Sequence, residues 1–318
     1  MAEKTCWVLS DGKPGHQNPC LGLAEAMGLE PTLKRLQPRP PWSLLPPQLW
    51  LAPFRAVGPR SDPLAPPWPD ALIAAGRQTV ALSIAIRRRS RGRTFTVQLL
   101  DPTVRPDRFD LVVAPQHDRL SGPNVISTIG ALNRVTPERL AAAGQLLAES
   151  VAHLPTPRVA VMVGGASKRH RMDAAVASDI GERLAVFARA AGAGLMVTPS
   201  RRTGRANEAA LRARLDGTAA VIWDGAGDNP YFGYLALADA IVVTSDSVAM
   251  TCEALATGKP VLIVDLPGGD AKFDRFHEGL RSAGYTRPFT GELERWDYPP
   301  LRETARVAEE VRRRMALD

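Results

Sequence analysis

A chain of 318 residues, 45% hydrophobic and 23% charged, is long enough for two globular cores. It has no apolar run near the ~20 residues of a membrane-spanning helix. A net charge of +7 and a pI near 9.7 admit anionic partners. No helix-turn-helix, zinc-finger or aromatic RNA-binding pattern accompanies the arginines, so nucleic acid is not an expected partner. Cys6, Cys20 and Cys252 form no C-x-x-C pair, and the histidines form no zinc-type cluster. The first ten residues lack the layout of a secretory signal. Reduced thiols, no metal and a cytoplasmic setting are therefore expected.

Short apolar runs alternate with helical patterns, which is the order of βαβ units around parallel sheets. In the amino half, strands are expected at residues 5–9, 32–36, 71–75, 94–99, 111–114 and 125–129, with helices at 19–27 and 79–88. A further helix follows Thr136, a ready N-cap with Pro137 at the first helical position; Leu140, Ala143, Leu147, Val151 and Leu154 recur at its apolar spacing. It is expected to close a first domain of residues 1–154. Pro155 and Pro157 cannot continue a helix and mark a linker.

Strands at 159–163, 194–198, 219–223, 240–244 and 261–264, with helices after Met172, Ala206, Pro230 and Ser247, define a second domain of residues 155–300. A last helix within 301–318 carries Leu301, Ala305, Ala308, Val311 and Met315 on one stripe and can pack on either domain. The fold class is α/β, two Rossmann-like parallel-sheet domains facing a cleft.

Residues 37–69 interrupt the alternation, being crowded with proline and carrying Trp42, Leu44, Leu45, Leu49, Trp50, Leu51 and Phe54. This insertion is too apolar for simple disorder. It is either a loop folded onto the first domain or, flanked by Arg39, Arg55 and Arg60, a flap that meets lipid or a hydrophobic acceptor. The second alternative places the protein peripherally at the inner membrane.

In doubly wound domains, ligands bind where strand ends lead into helix starts. After the first strand comes Ser10-Asp11-Gly12-Lys13-Pro14-Gly15-His16, neither of the standard dinucleotide or P-loop fingerprints, so neither NAD nor ATP is implied. His16 offers a group that exchanges protons near neutrality. After the first strand of the second domain, Gly164 and Gly165 precede Ser167 and Lys168, a pattern suited to cradling an anion. Arg201 follows the next strand beside hydroxyl side chains and can bind phosphate oxygens. Thr244, Ser245 and Ser247 open a helix whose first N–H groups can hold a diphosphate. Glu253 lies about two turns further on, off the Val248, Cys252 and Leu255 stripe, free to accept ribose hydroxyls.

With those residues in hand, the chain resembles bacterial proteins related to a plant mitochondrial-fission factor of the "elongated mitochondria" type. The resemblance rests on SDGKPGHQN, LLDP from Leu99, APQHD from Ala114, VTPERL, TPSRRT and the long stretch from Asn229 to Val261. Such proteins are sometimes labelled nucleoside-diphosphate-sugar epimerases. The stretch around Thr244 to Glu253 also looks like the donor site of GT-B glycosyltransferases, notably the N-acetylglucosaminyltransferase that completes the lipid-linked peptidoglycan precursor. In that enzyme a Gly-Gly-His loop follows the first strand and a helix glutamate holds the ribose. Gly15-His16 and Glu253 match, while Asp11, Lys13 and Pro14 replace most of that loop's glycines.

The resemblance implies a metal-independent glycosyltransferase binding a nucleoside-diphosphate sugar, with no NAD and with a lipid-linked or membrane-associated acceptor. His16 or Asp11 is then the base. Two alternatives stay open: a non-catalytic scaffold on the same fold, and an epimerase that works without NAD.

Overall fold

The computed structural model describes residues 4–317; the opening residues 1–3 of the amino-terminal run lie outside them. The chain divides into two compact units, one made of Met1–Arg134 with Arg302–Asp318 and the other of Val135–Leu301.

The first unit contains β1 (Cys6–Ser10), α1 (Pro14–Ala26), β2 (Pro31–Arg35), β3 (Ala71–Ala75), α2 (Arg77–Arg89), β4 (Phe95–Leu99), β5 (Leu111–Pro115) and β6 (Val125–Thr128). Its six strands pair in parallel in the order β2-β1-β3-β4-β5-β6. Central strands such as β3, buried at every residue, read as continuous apolar runs because both sheet faces are covered. α1 starts earlier than the sequence indicates, with Pro14 at its first position, and it tolerates Pro19 inside it. Pro19 has no N–H to give the Gly15 carbonyl, so α1 lacks one of its backbone bonds there. His16 is thereby on a helix, not in a loop.

The proline-rich insertion takes the place of a crossover helix between β2 and β3. Two short 3-10 turns, Pro47–Leu49 and Pro53–Ala56, bury Trp50 and Ala56. Trp42, Leu45, Phe54 and Trp68 pack with them on Leu9, Leu72, Leu82 and Ile86. The insertion is thus a loop folded onto its own unit.

The second unit contains α3 (Pro137–Leu147), β7 (Arg158–Val163), α4 (Ala174–Ala191), β8 (Gly194–Pro199), α5 (Arg205–Leu215), β9 (Ala220–Ile222), α6 (Tyr231–Leu237), β10 (Ala240–Thr244), α7 (Val248–Leu255), β11 (Val261–Val264), α8 (Ala271–Ser282) and β12 (Thr286–Pro288). Its sheet is also parallel, in the order β12-β11-β10-β7-β8-β9. Thr136 caps α3 through a 3.2 Å bond from the Arg139 N–H, with Pro137 first in the helix.

α3 packs on α6 through the small residues Gly144 and Gly233, so it belongs to the second unit and does not close the first. The division therefore falls at Arg134 and Val135, upstream of Pro155 and Pro157, which sit inside a unit beside the buried Val151 and Leu154.

The last helix, α9 (Glu303–Met315), returns to the first unit. Val307, Ala308 and Val311 enter the core that holds Val8 and Leu23. Glu303 accepts the Ile129 N–H at 3.1 Å, and Thr304 exchanges two 2.9 Å bonds with the Asn133 backbone. Two members of the expected stripe are not on that face. Ala305 is exposed, and Leu301 lies in the second unit, bonded to Leu255 at 3.1 Å.

Candidate functional site

Each sheet has one point where strand order reverses, between β1 and β3 in the first unit and between β7 and β10 in the second. Crevices at such points are the usual ligand sites of doubly wound sheets.

At the first point, β1 runs into Asp11 and α1. The Asp11 carboxylate, almost fully buried, accepts His16 Nδ1 at 2.9 Å and Lys13 Nζ at 2.7 Å. Burial alone would raise the Asp11 pKa. The hydrogen bonds and charges of His16 and Lys13 outweigh it and hold the carboxyl well below the usual carboxylate range. An ionised carboxylate can only accept, so Nδ1 is the donor in this pair and Nε2 is the ring nitrogen turned away from Asp11. The imidazole lies across Gly76, which starts α2 with φ of 84°; a Cβ there would come within 2.5 Å of Nδ1. Gly76 is not among the residues expected at the site, although a glycine between a buried strand and a helix is the signal for such an approach. Of the two candidate bases, Asp11 has its carboxylate engaged by His16 and Lys13 and orients the imidazole.

At the second point, the glycine cradle already holds an anion, and that anion is Asp246. The Gly165 N–H donates to Asp246 Oδ2 at 3.0 Å, and Thr244 Oγ1 donates to Oδ1 at 2.6 Å while accepting the Gly164 N–H at 2.7 Å. Arg202 Nη2 closes the arrangement at 2.6 Å from Oδ2. A Cβ on Gly164 would overlap this carboxylate. Gly164, Gly165 and Thr244, expected from the sequence to hold a phosphate, instead turn their polar groups to the Asp246 site. Ser245 Oγ accepts the Leu266 N–H at 2.9 Å, and Ser167 Oγ accepts the N–H groups of Arg169 and His170, so both hydroxyls brace loops. Lys168 and Arg201 remain exposed.

Beyond Asp246, Ser247 caps α7, accepting the Met250 N–H at 3.3 Å. Helix geometry leaves the first-turn N–H groups of Val248 and Ala249 without an intrahelical acceptor. Glu253 is not on a solvated face as its place off the apolar stripe implies. It is partly buried and accepts the Tyr231 hydroxyl at 2.7 Å. Burial pushes its pKa up to about 7 against the lowering effect of that hydrogen bond. Beside Ser245 lies a recess of about 510 Å³ lined by His170, Asp265, Gly268, Gly269 and His277. His277 Nε2 donates to the Ser245 carbonyl at 2.7 Å, and its buried Nδ1 has no partner among the described residues. Burial keeps the His277 pKa below its ordinary value, so the ring is neutral and Nδ1 is an open acceptor.

Two parallel α/β units of this kind define the GT-B-like class. The fold is shared with a putative UDP-N-acetylglucosamine 2-epimerase from Listeria monocytogenes at a TM-score of 0.55 and 12% identity, over 100% of this chain and 89% of that one. It is also shared with the spinosyn forosaminyltransferase SpnP at 0.53 and 15%, over 99% and 95%. Within that class, the chain belongs to the mitochondrial fission ELM1 family, whose profile matches residues 14–315. It is 31% identical over 274 residues to the mitochondrial fission protein ELM1 of Arabidopsis thaliana, an alignment that spans 78% of this chain but only 64% of that relative. No helix among the described residues is long and apolar enough to cross a membrane.

Proposed function

We propose that the chain binds a nucleoside-diphosphate sugar in its second unit and transfers the sugar to an acceptor hydroxyl without metal or NAD. One observation carries this reading: Ser247 caps α7 and, further along the same helix, Tyr231 holds the Glu253 carboxyl in place. The diphosphate accepts the free N–H groups of Val248 and Ala249 and the Ser247 hydroxyl, with Lys168 and Arg201 adding positive charge. Glu253 accepts the ribose hydroxyls, and the recess at His277 takes the sugar. His16 Nε2 removes the acceptor proton, the acceptor oxygen bonds the anomeric carbon, and the nucleoside diphosphate leaves, stabilised by the helix dipole.

Calorimetry with UDP-N-acetylglucosamine, the sugar nucleotide named in the Listeria neighbour, tests the binding step. Ser247→Ala and Glu253→Ala are each expected to weaken binding about tenfold. His16→Ala is expected to leave binding intact and to cut turnover by about 10²–10⁴-fold. Absence of heat with every common nucleotide sugar supports a second reading, a binding scaffold that does no chemistry. One observation favours that reading: Asp246 fills the crevice that an external phosphate would otherwise enter.

A further inference from the structure

Neither strand-end site uses a larger recess in the first unit, of about 1040 Å³, between the proline-rich insertion, the carboxyl half of α2 and the loop after β4. Its apolar lining comes from Trp50, Phe54, Ala81, Ile84 and Val104. Five exposed arginines ring it: Arg55, Arg88, Arg89, Arg105 and Arg108. Arg89 lies over the Phe54 ring at 4.0 Å and Arg105 pairs with Asp107. Arg55, Arg88 and Arg108 meet no carboxylate among the described residues. The insertion also carries Leu44, Leu49 and Leu51, exposed by 77, 54 and 94%. They are three of the five large hydrophobic residues exposed among the described residues, gathered within one short stretch.

A small soluble anion has no use for an apolar floor this large, and an apolar protein segment has no use for five cations. A phospholipid needs both, because a phosphate sits directly above acyl chains. Arginines reach a headgroup while their stems stay on apolar surface, and leucines beside them enter the interfacial layer.

We propose that this recess is a binding site for an anionic phospholipid of a bilayer, and that it docks the first unit on the membrane surface. Arg55, Arg88 and Arg108 take the phosphate, an acyl chain lies against Trp50, Ile84 and Val104, and Leu44, Leu49 and Leu51 enter the leaflet. This docking does not depend on the nucleotide-sugar reading.

Flotation of the full chain with vesicles, without nucleotide, tests it. The protein is expected to float with phosphatidylcholine–phosphatidylglycerol vesicles, not with phosphatidylcholine alone, and to be released by raised salt. Reversing Arg88 and Arg108 together (Arg88→Glu, Arg108→Glu) is expected to weaken binding about fivefold or more per arginine. Leu44→Asp with Leu51→Asp, both on exposed positions, is expected to weaken it as well. Arg189→Glu with Arg214→Glu makes the same change in net charge on the second unit and is expected to leave flotation unchanged.

Equal loss in that control pair reduces the effect to net charge and overturns the proposal, as does wild-type flotation by the Arg88/Arg108 variant. Failure to float at low salt also overturns it. Capture of a polyglutamate peptide without flotation assigns the recess to an acidic protein instead.

Discussion

Asp246 and Gly164 approach so closely that each fixes what the other can be. Gly164→Ala drives a methyl group into a buried carboxylate that Thr244, Gly165 and Arg202 hold still. The expected cost is about 3 kcal/mol, the upper range for overpacking, read as a lower urea midpoint of the second unit. Asp246→Ala removes the anion and leaves the Gly165 N–H and Thr244 hydroxyl buried without it. Because Arg202 is partly exposed and recovers water, the loss is expected to be about 2 kcal/mol, less than for a fully buried pair. Unchanged stability in Gly164→Ala would mean that the glycine is kept for an external ligand.

Glu253 gives the same scale a pH signature. Its folded pKa, up to about 7, exceeds the value near 4.3 of an unfolded glutamate, so the folded state binds more protons between those values. Stability therefore falls as pH rises through that window, by about 4 kcal/mol at most. Glu253→Gln cannot ionise and is expected to flatten this part of the profile, giving a higher denaturation midpoint than wild type at pH 8 and an equal one at pH 4. Parallel profiles for the two proteins would remove the burial argument for Glu253.

At the scale of elements, α9 is the piece whose placement has the clearest consequence. Val307 and Val311 are fully buried in the first unit's core, although they lie far along the chain from β1 and α1. Val311→Ala is expected to cost about 2 kcal/mol by leaving a cavity, and to lower the unfolding midpoint of the first unit while the second keeps its own.

The elements themselves were mostly legible in the sequence. Strands such as β3 and β10 are apolar at nearly every residue because helices cover both faces, and the Thr136 cap announced α3. α8 was not among the expected helices, although Phe273, Phe276, His277 and Leu280 recur at helical spacing and Asp270 caps it. β12 is three residues ending in proline at a sheet edge, too short to leave a pattern. Two prolines misplaced the unit boundary, because an extended entry into β7 and a true linker look alike in sequence.

The site divides along the same line. Asp11 with His16, and Ser247 with Glu253, lie close enough in sequence for spacing to suggest them. The contact between Gly165 and Asp246 spans 81 positions, and Tyr231 reaches Glu253 from another helix, so no local pattern carries either.

For the whole molecule, the two units are unequal in how the chain builds them. Val135–Leu301 is one uninterrupted stretch, with its own core around Leu184, Phe187, Leu195 and Val242 and with every residue of the proposed nucleotide site. The first unit needs both chain ends, because α9 closes its core. Residues 135–301 alone are therefore expected to unfold cooperatively and to bind UDP-N-acetylglucosamine within about threefold of the full chain. Turnover is expected to vanish, since Asp11 and His16 are missing. Residues 1–134 alone, with Val8 and Leu23 uncovered, are expected to lack a cooperative transition. Circular dichroism on melting and calorimetry on both fragments decide the matter. A folded 135–301 fragment that gives no heat where the full chain does would show that the α7 start and Glu253 do not suffice, and that the first unit contributes to nucleotide binding itself.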